Sequence, residues 1–417
     1  MKNKYHTVII GGGCLGAACA FSIQRKLGIH HSQIAIVEKK VLGAGLSSRH
    51  SAIVRAANTS KMAARMAKQS IELWKDLKAI WGVEIDYEQS GAIWITDSDL
   101  QKSDSRWQSI ETSMREEAVE FNLIPYQEIR KLSQSAIKTS PDELYYYESE
   151  VLQFESAQIL NGIQNAIKKN GITIYEHCEV IGFEQDFDKQ LTAVNTTQGK
   201  IYADHFVNAS GPWCTELFYQ LGLTIPVALE PVYVANFLVS CNEIPKSMPI
   251  IADYCNDVYF RRWQGNFLHM HQPRNTHKSE IAKSFSRSTM NPDGANIIYD
   301  AMSFNLNQHQ LDTYIDKINH RFPNLGKPVY AGGYQSFFDI TPDLQFILGP
   351  DNTISNLFHC LGAGQGLKYA PLFGELIAEL IMDRQVLNLG FDSSEFVISR
   401  FNSTPAINQT QKNQLFT

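Results

Sequence analysis

The sequence predicts an α/β protein of two interleaved domains, one a parallel sheet covered on both faces and the other a mainly antiparallel β-sheet plus helices. Three observations predict it. The chain opens as strand, glycine turn, helix, strand. A second glycine-rich loop follows a strand near residue 362 and again opens a helix. The long stretch between them contains runs that alternate with a period of two, as half-buried strands do.

Thr7–Ile10 is a short apolar strand, Gly11-Gly12-Gly13-Cys14-Leu15-Gly16 its turn, and Ala17–Leu27 a helix that Gly28 should stop. Gln33–Val37 is the second strand, ending at Glu38. Continuous apolar strands at this spacing imply a parallel sheet. After a small-residue loop, Gly43–Ser48, a helical stretch places Met66, Leu73, Leu77 and Ile80 on one face, widened by Trp74 and Trp81. Gly91–Ile95 reads as a strand, Asp97–Glu117 as helical, and Ser156–Lys169 as a helix leading to strands at Ile172–Tyr175 and Glu179–Phe183. Ile201–Ala209 is a further strand, and Ala228–Gln272 is mostly β. Leu357–Cys360 is a strand. Tyr369–Met382 is a helix with Glu375 and Glu379 expected to face water and Pro371 in its first turn.

Of the 417 residues, 44% are hydrophobic and 19% charged, enough apolar material for a large core. The net charge is −6 and no basic block appears, which argues against a nucleic-acid partner. The seven cysteines are scattered, without CxxC pairs or metal-ligand spacing, so reduced thiols, no metal site and a cytoplasmic location are expected. No run approaches the roughly 20 apolar residues that span a bilayer, and no signal peptide is expected at the N-terminus.

Gly11, Gly13 and Gly16 form G-x-G-x-x-G between a strand and a helix. The first glycine allows the tight turn, the second close approach of a pyrophosphate, and the third helix–strand packing. Glu38 at the end of the next strand suits ribose hydroxyls and disfavours a 2′-phosphate. This is a dinucleotide-binding unit, but glycines alone do not separate FAD from NAD.

Four segments, in order, carry a further resemblance. They are Gly11–Gly16 with Glu38; Gly43-Ala44-Gly45-Leu46-Ser47-Ser48-Arg49-His50-Ser51-Ala52-Ile53-Val54-Arg55; Ala203–Trp213; and Ile340–Asp343 running on to Gly362-Ala363-Gly364-Gln365-Gly366-Leu367-Lys368. On these, the chain resembles the D-amino-acid-oxidase-like flavoproteins, in the branch of sarcosine oxidase, dimethylglycine dehydrogenase and glycine oxidase. The resemblance implies FAD, on a Rossmann-like FAD-binding domain from residues 1–85, 145–225 and 327–395. Residues 86–144 and 226–326 would form the substrate domain, and 402–417 a loose tail.

The residues expected to touch the cofactor are Gly11, Gly13, Gly16, Glu38, Ser47, Ser48, Arg49, Ser51, Val180, Gly211, Gly362, Gly364, Gln365, Gly366 and Leu367. Arg55 and Lys368 match the family's carboxylate anchors, and a guanidinium fork suits a carboxylate. Some relatives attach FAD through a cysteine. The matching position here is Ser336, which cannot form a thioether, so FAD is expected to be non-covalent. Where relatives carry a lysine near the flavin, this chain aligns His269, a charge or a base. No role is assigned to Tyr259–Trp263 or His271.

The expected reaction is oxidation of the C–N bond of a carboxylate-bearing amine, whether secondary, N-methyl or an amino acid, with oxygen or another electron acceptor. Three readings stay open beside it: a 2-hydroxy acid dehydrogenase using His269 as base, a flavoprotein subunit that passes electrons to a partner, and a non-catalytic binding module.

Overall fold

The computed structural model describes residues 4–28, 33–239, 244–263, 267–271, 306–382 and 395–401. The expected tail, 402–417, lies outside them. In chain order, β1 (Lys4–Ile10), α1 (Cys14–Leu27) and β2 (Ile34–Val37) open the fold. β3 (Ile53–Val54), α2 (Lys61–Lys75), α3 (Leu77–Trp81), β4 (Tyr87–Gln89) and β5 (Ala92–Asp97) follow, then α4 (Ser98–Ser103) and α5 (Ser105–Glu116). Next come β6 (Phe121–Leu123), α6 (Tyr126–Leu132), β7 (Glu143–Glu148), β8 (Leu152–Phe154), α7 (Ser156–Asn170), β9 (Thr173–Tyr175), β10 (Val180–Gln185), β11 (Leu191–Thr196), β12 (Gly199–Asn208) and α8 (Cys214–Tyr219). The remainder is β13 (Ala228–Leu238), β14 (Ile250–Asp253), β15 (Val258–Trp263), β16 (Phe267–His271), α9 (Gln308–Arg321), β17 (Val329–Ile340), β18 (Ile347–Pro350), β19 (Leu357–Leu361) and α10 (Gly366–Ile381).

The first sheet has a parallel centre. β1 lies between β12 and β2, with β9 beyond β2 and β19 beyond β12. β10, β11 and β18 add antiparallel edges. β1 and β2 are buried on both faces, which is why they read as unbroken apolar runs. The second sheet, in the order β17-β13-β16-β15-β14-β5-β7-β6, is antiparallel except for β14 with β5. β3, β8 and β4 make a small third sheet. β7 and β17 pair within the second sheet, although the expected boundaries put most of both with the first. Their registers with β5 and β13 are non-local and left no mark in the local pattern.

α10 crosses α1 closely: a Cβ on Gly374 would stand 2.4 Å from the Ala18 carbonyl oxygen. It starts at Gly366, so Pro371 lies in the second turn rather than the first, with no N–H for the Leu367 carbonyl. Glu375 does not face water. It is buried and takes hydrogen bonds from Ser22 Oγ (2.6 Å) and Arg25 (2.5 Å), with Lys26 Nζ at 3.2 Å. Burial opposes its charge, but Arg25, Ser22 and Lys26 outweigh it and hold its pKa below the ordinary value. Its contribution is therefore present above the unfolded pKa of about 4.3 and lost as pH falls through the lower folded value. Glu375→Gln should cost about 1–3 kcal/mol at neutral pH. Thermal melts should show the gap from wild type closing on acidification.

Candidate active site

The strand–turn–helix geometry at the chain's start makes a cradle. Gly11 has φ +107°, and a Cβ there would sit 2.4 Å from the Ala209 carbonyl oxygen. A Cβ on Gly16 would sit 2.0 Å from the Gly11 carbonyl oxygen, so only glycine lets α1 pack on its own turn. Ser47 Oγ accepts from Cys14 N–H (2.9 Å), and the first intrahelical bond is Ala17 N–H to Gly13 C=O. The N–H groups of Leu15 and Gly16 are left at the helix terminus without intrahelical partners, a setting that favours phosphate. Glu38 is buried, with Oε2 accepting from Gly12 N–H (2.8 Å) and Oε1 from Lys40 N–H (2.9 Å). Each oxygen retains a lone pair for a ribose hydroxyl.

The second glycine corner meets the first. A Cβ on Gly362 would stand 2.4 Å from Gly366 Cα, and Cβ atoms on Gly362 and Gly366 would both press on Leu15 of α1, at 3.4 and 3.2 Å. Asp339 at the end of β17 accepts from Gly364 N–H (2.7 Å) and holds this loop, with Gly364 at φ +73°. Both corners open on one cavity of about 910 Å³.

Gly11, Gly13, Glu38, Ser47, Arg49, Ser51, Val180, Gly211, Gly362, Gly364, Gln365, Gly366, Leu367, Arg55 and Lys368 line it. Gly16 and Ser48 do not. Gly16 packs the helix on the turn, and Ser48 Oγ donates to the Gly45 carbonyl and accepts from Arg49. The cradle of turns closed to any Cβ, the free helix-end N–H groups and the fixed acid together fit an extended FAD.

At the inner end, Arg55 and Lys368 converge. The Arg55 guanidinium lies 4.8 Å from the Trp94 ring centre and donates to the Ala57 carbonyl. Burial opposes its charge, and Tyr259, Tyr254, Glu148 and Tyr369 more than offset this, so its pKa rises. Lys368 Nζ bonds Gln365 Oε1 (2.8 Å) above the Tyr369 ring. The Lys368 carbonyl takes hydrogen bonds from Ser70 Oγ (2.6 Å) and Trp74 Nε1 (3.1 Å), which tie α2 to the start of α10. Burial first, then Arg55, pull the Lys368 pKa well below the ordinary lysine value, against Glu148.

Trp94, Trp107, Tyr254 and Tyr259 form the aromatic wall beside Arg55, and Asp104 and Arg106 lie farther along. Tyr254 and Tyr259 share a hydroxyl–hydroxyl bond of 2.8 Å, and burial raises the Tyr259 pKa well above a phenol's. Tyr259 belongs to the polar-aromatic run Tyr259–Trp263, to which the sequence assigns no role; Trp94, Trp107 and Tyr254 have no distinguishing local pattern. His271 also reaches the cavity, stacked on Tyr259 with ring centres 5.0 Å apart.

His269 does not line the cavity. It is buried against Asn236 (Nδ1 to Oδ1, 2.8 Å), and burial with Arg261, His271 and His50 drives its pKa well below the ordinary value. Held neutral there, His269 carries no charge toward the cavity. Ser336 Oγ donates to the Arg49 carbonyl (3.0 Å), and Cys360 is buried inside β19, off the cavity. The described cysteines are all unpaired, and no three His, Cys, Asp or Glu among the described residues cluster as metal ligands. No described helix is long and apolar enough to cross a membrane.

Mitochondrial dimethylglycine dehydrogenase of Homo sapiens is 21% identical over 383 residues, 91% of this chain. This chain spans only 43% of that protein's length. Peroxisomal sarcosine oxidase of Homo sapiens is 22% identical over 411 residues, covering 96% of this chain and 97% of that one. The crystal structure of L-proline dehydrogenase from P.horikoshii superposes with a TM-score of 0.77 at 18% identity, covering 96% of this chain and 99% of that chain, which bears on the fold. The model of the family described as DAO, FAD dependent oxidoreductase, matches residues 6–380, and the chain belongs to that family.

Proposed function

We propose that this flavoprotein oxidises the C–N bond of a small amine that carries a carboxylate. One observation carries the reading: the Arg55 guanidinium and the Lys368 amine line the same cavity that the two glycine corners share. The names of relatives agree in class, since dimethylglycine, sarcosine and proline are all amines with a carboxylate.

Arg55 would take the carboxylate with its fork and Lys368 with a point charge. Fixing the carboxylate at two points orients the C–H next to nitrogen, and the aromatic wall excludes water. Bound FAD supplies the two-electron acceptance that removes hydride from that carbon. The imine left behind is hydrolysed by water. Tyr259 stays a neutral phenol and places no negative charge near the amine. The 2-hydroxy acid reading relied on His269 as base, and its buried position off the cavity leaves that reading without support.

Anaerobic mixing with sarcosine, dimethylglycine, proline, glycine, D-amino acids and 2-hydroxyglutarate tests the class. An amine carboxylate should bleach the flavin. Bleaching by 2-hydroxyglutarate alone would overturn the reading. Repeating the assay with oxygen and with a dye distinguishes the electron acceptor. FAD is expected to be non-covalent, because Ser336 stands where a thiol would be needed. Acid precipitation should leave the flavin in the supernatant, and a yellow pellet would refute this.

A further inference from the structure

We propose that Glu148 is a positioning residue that holds Arg55 and Lys368 together as a charged pair. This rests on the carboxylate-clamp reading above. Glu148 ends β7 and is fully buried. It does not line the cavity, so it acts through other residues. Its Oε1 accepts from the N–H groups of Ala56 (2.5 Å) and Ala57 (3.1 Å), while the Ala57 carbonyl takes the Arg55 guanidinium. The turn that carries Arg55 is thus fixed from both sides. Oε2 is buried and has no hydrogen-bond partner. A carboxylate in that state persists only where positive charge offsets its burial.

The cations whose fields reach it are Arg55, on the segment after β3, and Lys368, on α10. Burial raises its pKa, and Arg55, the two N–H groups and Lys368 work against that. Among the described residues, Tyr369, Tyr254 and Tyr259 also act on Arg55, Arg106 acts on Tyr254 and Tyr259, and His271 stacks on Tyr259. Two cations confined together without Glu148 would repel, and Lys368, already depressed, would lose its proton first. With Glu148 ionised, its charge opposes the loss of the Lys368 proton, so that both anchors of the clamp can stay charged for a substrate carboxylate.

The test uses the FAD-loaded protein and two readouts. The flavin absorbance of unliganded protein is titrated with alkali, and the step that Lys368→Met abolishes is assigned to Lys368. Separately, acetate affinity is measured by flavin perturbation across pH. Glu148→Gln keeps an acceptor for Ala56 and Ala57 but removes the charge. It should move the Lys368 step to lower pH by about one unit or more, and the alkaline limit of acetate binding should move to lower pH with it. Glu148→Asp keeps the charge and should shift the step by less. If Glu148→Gln yields too little loaded protein, Glu148→Asn, which also removes the charge, is read in the same way. A Glu148 that only supports the fold would lower Tm without moving the step. That result, or a wild type with no step that Lys368→Met removes, overturns the proposal. If wild type binds no acetate, the clamp reading fails, and the unliganded titration still decides Glu148.

Discussion

Replacing Arg55 with alanine is expected to raise KM for a carboxylate-bearing amine at least 30-fold while FAD stays bound. Truncating one partner of a buried, hydrogen-bonded charge pair costs about 2–5 kcal/mol, roughly 30- to several thousand-fold. Flavin retention is expected because Arg55 belongs to neither glycine corner; its guanidinium lies over the Trp94 ring. Arg55→Lys should recover little, since a point charge does not replace the planar fork. The pH dependence follows from Lys368. Its depressed pKa means that the ammonium, and with it carboxylate binding, is present at lower pH and lost as pH rises through that value, earlier than for an ordinary lysine. A kcat/KM profile should therefore fall on its alkaline side in wild type and lose that limb in Lys368→Met. Unchanged KM in Arg55→Ala would remove Arg55 from the site.

Gly11→Ala and Gly13→Val should part company. At Gly11, alanine meets both a positive φ of +107° and the Ala209 carbonyl oxygen at 2.4 Å, and neither can move without shifting β1 against β12. The variant should lose FAD and melt at lower temperature. At Gly13, an added Cβ meets Ser47 Oγ at 2.8 Å, a side-chain atom that can rotate away. Gly13→Val should keep its circular dichroism and yet bind FAD roughly 10- to 100-fold more weakly, from about 1–3 kcal/mol of crowding where the diphosphate approaches. Flavin fluorescence titration measures this. Full FAD affinity in Gly13→Val would place the diphosphate elsewhere.

What could be read in advance was local. The Gly11–Gly16 turn, Glu38 and the 362–368 loop each announce themselves within a few residues, because backbone geometry and helix termini impose glycine and acid at fixed spacing. The inner wall and its support were not legible in this way. Trp94 and Tyr254 of the wall, and Glu148 behind it, arrive from β5, the β14–β15 turn and β7, and only strand register joins them, as in the pairing of Ala92 with Glu148. One signal was available: a glutamate closing the aromatic run Tyr145-Tyr146-Tyr147 would need a partner if buried. His269 shows the opposite limit. It shares a strand face with His271, and period two cannot say which of the pair reaches the cavity and which is covered by Asn236. Helical spacing places Glu375 outward from one core, but α1 covers that side.

A crystal structure of the FAD-loaded protein with acetate bound tests the central claim most directly. The account predicts the diphosphate against the Gly11–Gly16 turn, the flavin ring against Gly364 and Gln365, and the acetate oxygens about 3 Å from Arg55 and Lys368. Acetate seated on Arg106 with Arg55 and Lys368 untouched, or FAD that contacts only one glycine corner, would contradict it.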